Sequence, residues 1–198
     1  DLDQVRARAA LRRTLSSINA AADATWLRAD REHITLVDDA HRNAAVWSDV
    51  GAFRAALAET RTHGHAASAL CPHCLDALER AAALYRDDFM AGFSLRDSIS
   101  FDDWQFFEAE GLRREFADTL ERLVELQIAR RNWQPAIAYA RRRLSLDSLH
   151  EPAHRQLMLL YAWSGERAAA VRQYQVCADI LARELDVPPL PETVVLFQ

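Results

Sequence analysis

The sequence predicts an all-α fold: a bundle of helical repeats preceded by one helix and a short β-hairpin. Three observations predict it. Apolar residues recur at helical spacing through almost the whole chain. From Arg131 on, the sequence repeats. Asn132–Trp133 and Glu166–Arg167 open two segments 34 residues apart, the period of a tetratricopeptide-like (TPR-like) helix pair. Only residues 25–37 leave the helical period, and there the pattern becomes two short runs around a polar turn.

Each element follows in order. Residues 4–20 read as a helix in which Val5, Ala9, Leu11, Leu15 and Ile18 form an apolar stripe and Arg residues cover the rest. Trp26–Arg28 and His33–Val37 read as two strands around a turn at Ala29–Glu32. Residues 38–49 connect to a short helix from Gly51 to about Thr60. Residues 61–70 are loop-like. Cys71–Pro72 starts a helix to about Asp87, with Pro at the position where its missing N–H is not needed. Residues 88–100 turn back, with Gly92 as the breaker. A long helix from about Phe101 to Arg131 carries Trp104, Phe107, Leu112, Phe116, Leu120, Leu123 and Leu126. The two repeats follow. Shifting by one period brings Ala136 onto Ala170, Ile137 onto Val171 and Ala140 onto Tyr174. Small residues at such places let helices approach closely. Pro188, Pro189 and Pro191 close the second repeat, and residues 191–197 form a last short helix.

Composition narrows the function classes. The chain has 198 residues, 50% hydrophobic and 27% charged, enough to bury a core without disulfides. No apolar run reaches the roughly 18–20 residues needed to cross a bilayer, and the polar start is unlike a signal peptide. Beginning on Asp1 rather than Met, the chain reads as a fragment of a longer protein. All its basic residues are Arg. The net charge of -5 argues against a uniformly basic nucleic-acid binder. Yet from Gln4 to Ala22 the only charged residues are Arg6, Arg8, Arg12 and Arg13, a local basic face. Three cysteines and no export signal fit a reduced, cytoplasmic setting.

A family resemblance is carried by ALYRDDFMAGF (83–93), FDDWQFFEAEGLRR (101–114) and the run from Ala136 to Thr193. These resemble the bacterial transcriptional activator domain, which occurs in antibiotic-regulatory-protein-type transcription regulators. The resemblance covers about residues 46–198. Residues 1–40 resemble the last helix and wing of the winged-helix DNA-binding domain that precedes it, the rest of which is expected upstream. The resemblance implies a TPR-like bundle that mediates self-association and protein contacts beside a DNA-binding domain, and no catalysis. Asp87 and Asp186 stand where the family pattern has Gly. Asp tolerates the left-handed conformation better than most residues, so both are expected to keep such turns.

Three candidate sites follow. On the first helix Arg6, Arg8, Arg12, Arg13, Thr14 and Ser17, with Arg28 and Arg31 on the hairpin, are the candidate DNA-binding residues. Arg neutralises phosphates or forks onto guanine, and hydroxyls donate to phosphate oxygens. The residues alone favour a solvated helix face; the resemblance reverses this and favours DNA in the intact protein. His63, His65, Cys71 and Cys74 form the second group. Four such ligands suit a zinc tetrahedron, although the His pair is closer-set than the usual arm. Packed thiols beside a loop, or a redox pair, are the alternatives. The third is a basic run, Arg141–Arg143, with Arg155, Arg167 and Arg172 near it. It is either a grip for an acidic peptide or a face paired with local carboxylates. Trp104, Phe107, Trp133, Tyr139, Tyr161 and Tyr174 are expected in the core or between repeats, and Cys177 as a buried small hydrophobe.

No phosphate-cradling, nucleophile-elbow or metalloprotease motif is present, so no enzyme is expected. The carboxylate pairs Asp38–Asp39, Asp87–Asp88 and Asp102–Asp103 read as helix caps and turns. His150 and His154, four apart, lack a third metal ligand. The function expected is that of a cytoplasmic bacterial transcription regulator. Its partners are promoter DNA, RNA polymerase or other regulator domains, a possible homodimer, and no membrane. A TPR adaptor that never touches DNA, and a zinc- or thiol-responsive sensor, are the alternatives.

Overall fold

The computed structural model describes residues 2–21, 27–30, 33–36, 47–62, 64, 71–96 and 98–198. They fall into two compact units, Asp1–Ser48 and Asp49–Gln198. Among them the fold is all-α apart from one two-stranded hairpin. No described helix is long and apolar enough to cross a membrane.

The first unit holds α1 (Leu2–Ala21), β1 (Leu27–Ala29) and β2 (Ile34–Leu36). The strands pair antiparallel, with Leu27 opposite Leu36, Arg28 opposite Thr35 and Ala29 opposite Ile34. Both strands lie within a residue or so of the expected positions; Trp26 and Val37 fall outside the described residues. The apolar stripe expected on α1 is not covered. Val5, Leu11 and Ile18 are exposed, and only Leu15 is half-buried.

The second unit is a succession of helices: α2 (Asp49–Arg61), α3 (Pro72–Leu84), α4 (Ile99–Ala129), α5 (Trp133–Leu146), α6 (Glu151–Trp163), α7 (Arg167–Leu185) and α8 (Pro191–Phe197). Each helix from α2 to α7 packs on the next, and α8 rests on both α6 and α7. α4 is the spine. Its Leu112, Phe116, Leu120 and Leu123 join Phe53, Leu57 and Leu78 in one core, and its Val124 joins Ala136, Ile137, Leu157 and Leu160 in a second. Ala136 and Ala140 have no exposed surface, as expected of residues that set helix spacing.

The repeat is visible in the backbone. α4 ends with Arg131 N–H donating to Ile128 O (2.9 Å) and Asn132 N–H to Gln127 O (2.9 Å). α6 ends with Gly165 N–H donating to Ala162 O (3.1 Å) and Glu166 N–H to Tyr161 O (2.8 Å). Both are Schellman turns. They pivot on left-handed residues one period apart, Arg131 (φ 58°) and Gly165 (φ 86°). The second repeat is the less buried. Ile137 is 3% exposed, whereas Val171, one period on, is 43% exposed. Ile137 lies in the core between α4 and α6, whereas α7 is covered by α6 and the seven-residue α8 among the described residues.

Two expectations need correction. α3 stops at Leu84, three residues short of Asp87. The Arg142 guanidinium takes the Ala82 carbonyl (2.8 Å), which the N–H of Arg86 would need to continue the helix. Asp87 is also not left-handed. Its carboxylate accepts the Asp88 N–H (2.8 Å), and the reversal falls on Met90 (φ 53°) and Gly92 (φ 79°). Asp186 does adopt the expected conformation, at φ 55° and ψ 38°.

Candidate functional site

The N-terminal unit is built around Asn19. Its side-chain amide donates to Leu27 O (2.9 Å) and its carbonyl accepts Leu27 N–H (3.0 Å). One side chain near the end of α1 thus holds the first residue of the hairpin. At the turn, Asp30 N–H donates to His33 O (3.0 Å), and Asp30 Oδ1 accepts His33 N–H (2.7 Å).

The arginines of α1 do not share one face. With about 100° per residue, Arg6, Arg13, Thr14 and Ser17 fall on one side. Arg8 and Arg12 fall on the other. They line an open cleft of about 1100 Å³ between α1 and the hairpin, with Leu11, Leu15, Ala29 and Ile34. Among the described residues none of the four arginines has an ion-pair partner, and all are exposed. Thr14 and Ser17 donate their hydroxyls back to Ala10 O (3.2 Å) and Arg13 O (3.0 Å), leaving lone pairs rather than protons for a ligand. Strand alternation puts Ala29 and Ile34 toward the cleft, and Arg28 with Thr35 on the outer face of the hairpin. Arg31 lies outside the described residues.

Of the His/Cys group, His63 and His65 lie outside the described residues. Cys71 precedes the first turn of α3, and Cys74 one turn later is 2% exposed and hydrogen-bonded to Cys71. Burial first, then that bond, pushes the Cys74 thiol up, so it stays protonated at neutral pH. Among the described residues no three His, Cys, Asp or Glu converge as metal ligands. Cys177 is fully buried, its thiol pushed up to about 11 by burial.

The basic run on α5 does not present its three arginines together on one face. Successive helical residues diverge: Arg143 is buried, Arg142 half-buried, and Arg141, like Arg167 and Arg172, is exposed. Arg143 is 8% exposed and pairs with Glu121 at 2.9 Å. Arg142 binds the carbonyls of Ala82 and Tyr85 and lies 4.5 Å over the Phe116 ring. Arg141 donates to the Tyr161 hydroxyl (2.8 Å) and Arg155 to Thr193 (3.1 Å). His154 is buried, with Nε2 2.9 Å from Ser148 O and Nδ1 2.7 Å from the Gln173 amide; neither nitrogen is left for a metal beside His150.

Two features escaped the sequence pattern. A cavity of about 420 Å³ opens where α2 meets the α3–α4 turn, over Val50, Phe53, Phe89 and Leu112. Its wall is Tyr85, which donates to Asp88 (3.0 Å), itself paired with Arg113. Nothing in YRDDF itself signals a cavity. The second is the start of α4. Trp104 and Phe107 were expected in the core, but they are 47% and 71% exposed, with Phe106 at 62% and Ile99 at 79%. Their helical spacing is real. Trp104 packs edge-on against Phe89 of the α3–α4 turn (centroids 5.5 Å apart), whereas no described helix packs over Phe106 and Phe107.

A family model, described as the bacterial transcriptional activator domain, matches residues 48–198. No curated protein matches the chain significantly.

Proposed function

The chain belongs to the bacterial transcriptional activator domain family, and from that premise we propose that it is part of a promoter-bound transcription regulator. The family is one of transcription regulators, not of enzymes. In this reading residues 1–40 are the closing helix and wing of a winged-helix DNA-binding domain, in an antibiotic-regulatory-protein-type arrangement. Residues 46–198 form the helical module that contacts RNA polymerase or the regulator's other domains and self-associates. The setting is the bacterial cytoplasm.

The observation that carries the DNA-binding part is the division of α1. The cleft side bears Leu11, Leu15 and Ile34 beside Arg8 and Arg12, a mixed face suited to the remaining helices of a winged helix. The opposite side bears the exposed Arg6 and Arg13, and Asn19 fixes the hairpin at the end of that helix. A helix with its wing held at its C-terminal end suits a major groove and its flanking backbone. Arg28, on the outer face of the hairpin, would add a bond to phosphate.

The test is promoter binding by the intact regulator against salt, with Arg6 and Arg13 changed to Ala. For every phosphate that is no longer neutralised, the log–log salt slope is expected to fall by about 0.9. An unchanged slope and affinity would sink the assignment of this face.

A further inference from the structure

The first turn of α3 brings two thiols together. Cys71 is its N-cap and Cys74 its third residue, and Leu75 N–H donates to Cys71 O (3.1 Å), which closes the turn. Residues three apart in a closed helical turn have α-carbons about 5 Å apart, inside the range that a disulfide spans. The Cys74 thiol is already hydrogen-bonded to Cys71. We propose that Cys71–Cys74 is a reversible dithiol–disulfide site that exchanges with low-molecular-weight disulfides.

The two sulfurs are placed for different parts in that exchange. Cys71 is partly exposed, so a small disulfide can reach it. Cys74 is 2% exposed, closed to outside reagents and open only to its neighbour's sulfur. A thiolate at the N-cap meets the positive end of the helix dipole, a setting in which a C-x2-C pair becomes reactive. No acidic residue lies in the first turn of α3 to oppose it, and Pro72 fixes the backbone between the two thiols.

Neighbouring helices supply charge of the right sign. Arg122 of α4 donates to Thr60 Oγ1 (3.0 Å), and its buried Nε has no hydrogen-bond partner among the described residues. Burial and the bond to Cys71 push the Cys74 thiol up, and the Arg122 guanidinium opposes them. Glu59, the carboxylate that α2 brings to this turn, is held by Arg80 at 2.5 Å and lies 3.8 Å from His73.

A Cys71–Cys74 bond would close a ring within one turn of one helix. It would tie no two elements together, and the shortest loops gain least from a cross-link. A structural staple is therefore a poor use of the pair. Disulfides of reducing compartments are transient, and serve catalysis or redox sensing.

In the exchange, the Cys71 thiolate attacks one sulfur of the small disulfide. A mixed disulfide forms and one small thiolate leaves. The Cys74 sulfur gives its proton to that thiolate, attacks the Cys71 sulfur and expels the second small thiolate. Two protein thiols are oxidised to one disulfide, and one small disulfide is reduced to two thiols.

The experiment equilibrates the chain from Asp1 to Gln198 with graded ratios of glutathione and glutathione disulfide, without air. Samples are quenched in acid, alkylated in denaturant and read by mass spectrometry. One intramolecular disulfide is expected between Cys71 and Cys74, reversed by dithiothreitol, with Cys177 alkylated throughout. The native chain should react with glutathione disulfide at least about tenfold faster than the chain in urea. Cys74→Ala should stop at a single glutathione adduct on Cys71, and Cys71→Ala should gain neither adduct nor disulfide. Thiols that stay reduced at the most oxidising ratio, a disulfide through Cys177, a native rate no higher than the unfolded one, or an adduct on Cys74 each overturns the proposal. The equilibrium and the rate are read on the unchanged chain, so they decide even where a variant fails to fold.

Discussion

The phenol ring of Tyr85 stacks on the ring of Phe116, with centroids 4.1 Å apart and planes 8° from parallel. This stacking ties the turn after α3 to the middle of the spine helix. Arg142 reaches in from α5 and lies over the same Phe116 ring. Its guanidinium also holds two carbonyls where α3 ends. Three helices are thus fastened at one ring.

Arg142 is accordingly expected to matter for stability. Arg142→Ala removes a cation–π interaction and two charge-assisted bonds to half-buried carbonyls, a loss of about 2–3 kcal/mol. Arg142→Lys keeps the charge but not the fork, and its loss is expected to be intermediate. Urea midpoints of the three chains give the comparison. A midpoint for the Ala variant equal to the parent's would remove Arg142 from the structural account.

The same corner sets a pH dependence at both ends. The Arg113 guanidinium, hydrogen-bonded to Asp88, holds that carboxyl below the usual range in spite of its partial burial. A depressed folded value contributes stability that is present above about pH 4 and lost as the pH falls further. Asp88→Asn should therefore flatten the acid limb of the stability curve below about pH 4. Tyr85 moves the other way: burial first, then Asp88, pushes its hydroxyl up to about 12. The stability held in its neutral form is complete below about pH 10 and is lost between there and pH 12. Ultraviolet titration should find Tyr85 and Tyr139, whose hydroxyl burial also pushes up, ionising after free tyrosine, and Tyr85→Phe should remove one of these two late steps.

Arg131 invites a stabilising change. It holds φ 58°, while Gly165 does the same work in the next repeat. Arg131→Gly relieves the left-handed strain and should stabilise the chain by roughly 0.5–1 kcal/mol. Asp186→Gly, at φ 55°, should act in the same direction. Thermal unfolding of each variant decides the sign, and a destabilised Arg131→Gly would mean that the side chain contributes more than the turn costs.

The thiols should report burial. At pH 8 in the native chain, a thiol reagent is expected to modify Cys71 first, because Cys74 and Cys177 are buried and their thiols are pushed up. Cys74 and Cys177 should react only at the rate of unfolding. One equivalent of zinc retained through gel filtration, with Cys71 also protected, would instead favour metal ligation by the Cys71–Cys74 pair.

What the sequence reveals divides along physical lines. Helices and repeats were legible because burial imposes a period: Ala136, Ile137 and Ala140 are buried as their spacing predicts. The turn at Asp186 was legible because few residues tolerate its conformation. The fate of Arg141–Arg143 was not legible. Whether an arginine faces solvent, a carboxylate or a carbonyl depends on helices distant in sequence, here α3 and α4 as well as α6. The same is true of Phe106 and Phe107, whose apolar period looks identical whether the partner is in the chain or outside it. On α1 the arginines were legible as basic residues but not as two opposed faces, which follow from the 100° turn and from where the hairpin sits.

Asn19 has one more consequence. A two-stranded ribbon presents two open edges, and an open edge recruits strands from other molecules. By occupying both the N–H and the carbonyl of Leu27, Asn19 blunts the ribbon on its β1 side at the point where a new strand would first register. One amide side chain thus occupies the β1 edge, and Asn19→Ala should free both Leu27 groups and loosen the hairpin.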